Sequence, residues 1–110
     1  MTSHGLEVLA ALANEIAVKR NASAETSYTA KLISQGVERC AKKMGEEAIE
    51  TALAAVLKDR TQITSESADL LYHFLVLLEA ANVKLSDVMD VLAQRQGISG
   101  IAEKASRPKD

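Results

Sequence analysis

At 110 residues the chain has the length of one domain and can bury a core without disulfides. Apolar residues make up 47% and aromatic residues only 3%, with no Trp, one Phe and one Pro, which favours helices over strands. A net charge of −2 offers no electrostatic footprint for nucleic acid, and no apolar run approaches the ~20 residues that span a bilayer.

Leu6, Leu9, Ala10, Ala13, Ile16 and Ala17 keep three-and-four spacing, so Leu6 to about Lys19 is an amphipathic helix with one buried stripe. Asn21 to Thr26 is a polar connector. Ser27 to Ser34 is a short helix capped by Thr26 or Ser27 and closed by Gly36. Val37 to Leu57 is the long central helix. Val37, Met44, Ala48 and Ala55 form one apolar side of it and Ile49, Leu53 and Val56 another, the pattern of a helix packed between neighbours. Gly45 inside it costs about 1 kcal/mol relative to Ala, which close helix approach or room for a ligand would explain. The lone Cys40 falls on the Val37, Met44 and Ala48 face, where a buried structural thiol is expected; one cysteine permits no intrachain disulfide and fits a reducing cytoplasm.

Lys58 to Gln62 reads as a polar turn, and Thr64 or Ser65 as the cap of a helix containing Leu70 to Leu78, which is apolar nearly all round. Such a helix must be covered on every side, so a second copy of the chain is expected to complete the bundle as a homodimer. Asn82 and Val83 end that helix, and Ser86 caps a last one, Asp87 to Gln94. The expected fold is all-α, a bundle of four to five helices in a single domain over residues 1–96, with 97–110 as a mobile tail from which Ile98 and Ile101 are placed to dock.

The chemistry lies in two acidic motifs. Glu46, Glu47 and Glu50 share one face of the central helix, and Glu66 and Asp69 stack on the next. Close like charges destabilise a helix, and both acidic ridges run on into apolar residues: Ala54 and Leu57 beyond Glu50, and His73, Val76 and Leu77 beyond Asp69. A hard divalent cation accounts for that arrangement, and oxygen-only donors suit magnesium, with manganese as a substitute, rather than zinc. A hairpin turning near Arg60 leaves Glu47 and Glu50 out of level with Asp69 and Glu66 by roughly five residues, about 7 Å along the axis. An asymmetric turn, a crossing angle or a contact through the dimer partner must close that gap.

The motifs Glu46-Glu47-x-x-Glu50 and Glu66-x-x-Asp69 resemble the signature of the all-α nucleoside triphosphate pyrophosphatase superfamily, the MazG-like proteins. Three further stretches narrow the match: Ser27-Tyr28-Thr29-Ala30-Lys31-Leu32, Lys42 to Ala48, and Ala68-Asp69-Leu70-Leu71-Tyr72-His73. Together, from Leu6 to about Arg95, they look like the phosphoribosyl-ATP pyrophosphatase family of histidine biosynthesis. The resemblance implies magnesium-dependent hydrolysis of 1-(5-phosphoribosyl)-ATP, a small-molecule nucleotide, to phosphoribosyl-AMP and pyrophosphate. It also implies a helical dimer and, in many relatives, fusion to a cyclohydrolase that binds zinc through cysteines; with one Cys and 110 residues, the stand-alone form is expected here.

By the same resemblance the functional acids are Glu46, Glu47, Glu50, Glu66 and Asp69. Glu47, Glu50, Glu66 and Asp69 are the expected metal ligands; Glu46 orients or deprotonates the attacking water, or ligates a second metal. Lys31, Lys43 and Arg39 are the nearest candidates for phosphate contacts, although Lys43 is also placed to pair with Glu47 at i,i+4. His73 is expected to be a hydrogen-bonded core histidine, and Tyr72 a packing residue with a satisfied hydroxyl. The rival readings are a housecleaning pyrophosphatase for noncanonical nucleoside triphosphates, a di-iron bundle, and a non-enzymatic dimerisation module. A di-iron site needs Glu-x-x-His pairs, and Asp69 stands where the His would be.

Overall fold

A computed structural model describes residues 4–108, and these are helical wherever they are regular. The order is α1 Glu7–Lys19, α2 Tyr28–Ser34, α3 Val37–Val56, α4 Arg60–Ala80, α5 Leu85–Arg95 and α6 Gly100–Ser106. The two long helices, α3 and α4, form an antiparallel hairpin packed along most of its length, with α1 and α2 laid against α4. The core is where they meet: Ile16 of α1, Leu32 of α2, Cys40 of α3 and Leu75 and Val76 of α4.

The caps explain most boundaries. Ser27 takes the Ala30 amide at 3.1 Å and starts α2, settling the cap on Ser27 rather than Thr26. Gly36, at φ 96°, turns the chain directly from α2 into α3, a left-handed conformation that suits glycine. Cys40 is buried, its thiol donating to the Leu32 carbonyl, and burial pushes its pKa up. It is the structural thiol the sequence leads one to expect.

Four boundaries differ from the sequence expectation. Helix α4 begins at Arg60, capped by Asp59, which accepts from the Gln62 amide at 3.1 Å; neither Thr64 nor Ser65 serves. Helix α3 ends in a Schellman turn, with Lys58 left-handed at φ 58° and the Lys58 and Asp59 amides bonded back to Ala55 and Ala54. Helix α5 starts at Leu85 rather than after Ser86, with no side-chain cap. The segment past Gly97 carries a two-turn helix, α6, capped by Ser99 and tied back to α5 by an Arg95–Glu103 ion pair. Ile98 and Ile101 are exposed there and do not dock. Lys109, assigned to the same tail, lies outside the described residues.

The two apolar flanks of α3 behave differently. On the first, Met44 and Ala48 are half-buried beside the buried Cys40 and Ala54, but Val37 and Ala55 are exposed; on the second, Ile49, Leu53 and Val56 are 64%, 58% and 76% exposed. Within one chain, α3 is therefore packed on one side, not between neighbours as its pattern suggests. Leu57 is exposed as well, so the Glu50 ridge runs into a buried Ala54 and then out to the surface. A Cβ on Gly45 would meet nothing within 4 Å, so close helix approach inside the chain is not what the glycine serves.

Arg20 closes the far end of the bundle. Its Nη1 donates to the Glu79 carbonyl at 3.2 Å, to Glu79 Oε1 at 2.8 Å and to Asn82 Oδ1 at 3.2 Å, where α4 ends in a second Schellman turn at Asn82. One guanidinium thus serves a carbonyl at a helix end and pins α1 to α4. Arg20→Ala is expected to cost about 1 kcal/mol, the partly exposed pair being screened by solvent. Urea unfolding should show a lower midpoint at unchanged slope.

Candidate active site

The turn at Lys58 decides the site. Glu47 with Asp69, and Glu50 with Glu66, are pairs centred on that residue, so an antiparallel hairpin reversing there brings them level without any offset. The gap foreseen for a turn near Arg60 closes because the chain reverses two residues earlier, through left-handed Lys58 and the Asp59 cap. The acids of one chain meet by themselves.

Ligand oxygens of Glu47, Glu66 and Asp69 all lie within 4.8 Å of one another. Glu50 stands beside Glu47 and Glu66, acting on both carboxyls, but outside that close trio. Glu47 and Glu66 are half-buried, and each keeps one buried oxygen, Oε2, with no hydrogen-bond partner. Buried polar atoms are nearly always satisfied. Two orphaned carboxylate oxygens on two acids of one cluster therefore call for something that binds oxygen.

Electrostatics give the same answer. Burial, then the neighbouring Glu50, Glu66 and Asp69, push the Glu47 pKa up to about 7. Glu66 is raised as well, first by its contact with Glu50. Carboxyls so crowded hold a proton in common or hold a cation. No lysine or arginine among the described residues forms an ion pair with any of the four. The donor set is all oxygen and anionic, which fits magnesium or manganese and not a thiolate- or imidazole-loving metal.

Glu46 is exposed on α3, one residue before Glu47, and lies outside the trio. Lys43 is half-buried on the ridge that leads to Glu47 and forms no ion pair, so the i,i+4 bridge to Glu47 is not made. Its charge is felt by His73, one turn past Asp69. Lys31 is exposed and lines a cavity of about 590 Å³ with Ser27 and Tyr28. Arg39 is exposed on the Lys43 ridge, with no contact that draws it toward the acids.

His73, one turn past Asp69, is buried as expected, but its Nδ1 has no hydrogen-bond partner. Its ring meets Tyr72 edge-on at 5.0 Å and Tyr28 at 6.3 Å. Burial, then Lys43, holds the imidazole below the usual histidine range against the pull of Asp69 and Glu46. Tyr72 is the packing residue foreseen, its hydroxyl satisfied by Thr29 Oγ1 at 2.6 Å. The Thr29 contact and the exposed Tyr28 beside it are what sequence reasoning missed; the only available signal was that the chain's two tyrosines fall within its family-like motifs. A larger cavity, about 800 Å³, lies between α1, the end of α4 and the start of α5 and contains none of the clustered acids.

The family model described as Phosphoribosyl-ATP pyrophosphohydrolase matches residues 9–96. The chain belongs to that family. The phosphoribosyl-ATP pyrophosphatase of Ruegeria sp. (strain TM1040) is 55% identical over 98 residues, 89% of this chain and 93% of that protein. The enzyme of the same name from Ruegeria pomeroyi is 54% identical over 94% of this chain and 99% of its own length. Phosphoribosyl-ATP pyrophosphatase 1 of Bradyrhizobium diazoefficiens is 54% identical over 87% of this chain and 91% of its own. The matched span contains all five acids, and the all-helical fold agrees with the family expectation.

Proposed function

We propose that the chain hydrolyses 1-(5-phosphoribosyl)-ATP to 1-(5-phosphoribosyl)-AMP and pyrophosphate, the second step of histidine biosynthesis, with magnesium held by Glu47, Glu66 and Asp69 and supported by Glu50. The observation that carries the metal reading is the trio of carboxylates within 4.8 Å with two buried, unpartnered oxygens. The substrate reading rests on family membership across residues 9–96. When bound there, magnesium neutralises phosphate charge and lowers the pKa of a water, as divalent ions do in phosphoryl chemistry.

The chain's own residues do the rest. Glu46, next to the ligand Glu47 yet outside the trio, is free to orient the attacking water and take its proton. Water oxygen bonds to phosphorus, the anhydride bond breaks, and pyrophosphate leaves with the electron pair. Lys43, half-buried and without a carboxylate partner, is the first choice for the triphosphate. Lys31, at the cavity it lines with Ser27 and Tyr28, takes a further phosphate, and Arg39 is the third candidate.

The active unit is a homodimer. The exposed Ile49, Leu53 and Val56 stripe on α3 and the exposed Leu71 on α4 are apolar surface that a second copy would cover. No helix among the described residues is long and apolar enough to cross a membrane, and a nucleotide substrate together with a single buried cysteine favours the cytoplasm. Pyrophosphate release measured with phosphoribosyl-ATP, dUTP and dCTP in magnesium tests the substrate. Phosphoribosyl-ATP should exceed the other two in kcat/KM by on the order of 100-fold, the discrimination a site built for polar substrate groups attains. Equal or faster turnover of dUTP or dCTP would make it a housecleaning enzyme.

A further inference from the structure

Aromatic residues are scarce in this chain: two Tyr, one Phe and no Trp. Both tyrosines meet at one corner, Tyr28 stacked on Tyr72 with centroids 6.4 Å apart and planes 17° from parallel. Tyr72 is held by Thr29, and His73 packs edge-on against both rings. Tyr28 itself is 54% exposed, and its hydroxyl makes no hydrogen bond to the described residues. It is a flat aromatic face fixed from behind and open in front, at the wall of the 590 Å³ cavity that Lys31 also lines. His73 joins this corner to the acids, since it follows Asp69 by one turn and feels Lys43, Asp69 and Glu46.

We propose that Tyr28 is the platform on which the substrate's purine stacks, and that it selects adenine carrying a ribosyl group on N1 over unmodified adenine. The proposal rests on the reaction assigned above. An aromatic face held rigid loses little on binding a base. Alkylation at N1 leaves the adenine ring readily protonated near neutrality, so the electron-rich tyrosine face attracts it by cation–π contact as well as by stacking. Lys31, one turn along α2 and lining the same cavity, supplies positive charge for the 5-phosphate of that added ribose.

The test compares Tyr28→Phe and Tyr28→Leu with the wild type in magnesium. Tyr28→Phe keeps the face, and its KM for phosphoribosyl-ATP should stay within about twofold. Tyr28→Leu keeps the apolar bulk but not the π-face; it should raise that KM about tenfold, within the range of base stacking on aromatic side chains, with kcat changed far less. It should weaken inhibition by ATP, which lacks the N1 substituent, by a smaller factor. Because the chain has no Trp, tyrosine emission reports directly: phosphoribosyl-AMP should quench it, pyrophosphate should not, and Tyr28→Phe should remove most of the quench. An unchanged KM in Tyr28→Leu, or equal losses for both ligands, would overturn the proposal while the wild type still turns over phosphoribosyl-ATP. A wild type that leaves phosphoribosyl-ATP intact would overturn the reaction itself, and the proposal with it.

Discussion

Replacing Glu47 with Gln is expected to lower kcat for phosphoribosyl-ATP by on the order of 10³-fold at saturating magnesium, the loss of several kcal/mol of charge stabilisation. The same change is expected to stabilise the metal-free protein. Glu47 is the most strongly shifted acid of the cluster, pressed by burial and by Glu50, Glu66 and Asp69, with one buried oxygen unpartnered. An amide of the same shape removes a charge that the fold tolerates only for a ligand. Differential scanning calorimetry at pH 8 in chelator should show a midpoint higher by roughly 4 °C, the shift that about 1 kcal/mol produces in a domain of this size. Circular dichroism should show unchanged helicity, separating a lost site from a lost fold. Activity near the wild-type level would remove Glu47 from the metal site. A lower midpoint in chelator would mean that the cluster is held together by hydrogen bonds and not strained by charge.

Chelation and pH should act together. Stripping the metal is expected to abolish turnover and to expose a stability that declines as pH rises. The sign follows from linkage: the fold pushes Glu47 up to about 7 from an ordinary 4.5, so between those values the folded chain binds more protons than the unfolded one. Its contribution is present below about 4.5 and is lost as pH rises through about 7. Glu66 is shifted in the same direction. His73, depressed chiefly by burial, works against them, its contribution being present above the ordinary histidine range and lost as pH falls. Magnesium separates the two effects, because cation binding needs ionised carboxylates and therefore tightens as protons leave. The magnesium-induced rise in midpoint should grow steadily from pH 5.5 to pH 8. A rise equal at both ends, or none at all, would contradict a carboxylate metal site.

Much of this protein is local and could be read directly. The three-and-four spacing of Leu9, Ala13 and Ile16 makes α1 and sets it on the core with Ile16 buried, although Leu6 precedes the helix and is exposed, as are Ala10 and Ala17 of the same expected stripe. Glu47, Glu50, Glu66 and Asp69 point to a hard cation because carboxylates stacked on apolar ridges have few other stable uses, and the fold brings three of the four, Glu47, Glu66 and Asp69, within 4.8 Å of one another. Cys40 and Tyr72 take the packing roles their helix faces imply.

What sequence could not decide depends on choices among equivalent local options or on surfaces that meet at a distance. Asp59, Thr64 and Ser65 are all competent caps, and the polar run from Lys58 to Gln62 reads equally as a turn or as the exposed first turn of a helix. Only the backbone reversal at left-handed Lys58 selects Asp59 and brings the carboxylates level. The Tyr28–Tyr72–His73 corner, with Thr29 behind it, joins residues more than 40 positions apart, a proximity that no periodicity encodes. Periodicity likewise says that Ile49, Leu53 and Val56 are apolar, but not whether this chain covers them; the tertiary structure leaves them exposed. Sequence thus determined the first five helices and the acidic side chains that cluster, because both follow from residue chemistry within a few positions. Their level, their aromatic neighbour and the uncovered face were decided by the path of the chain in space.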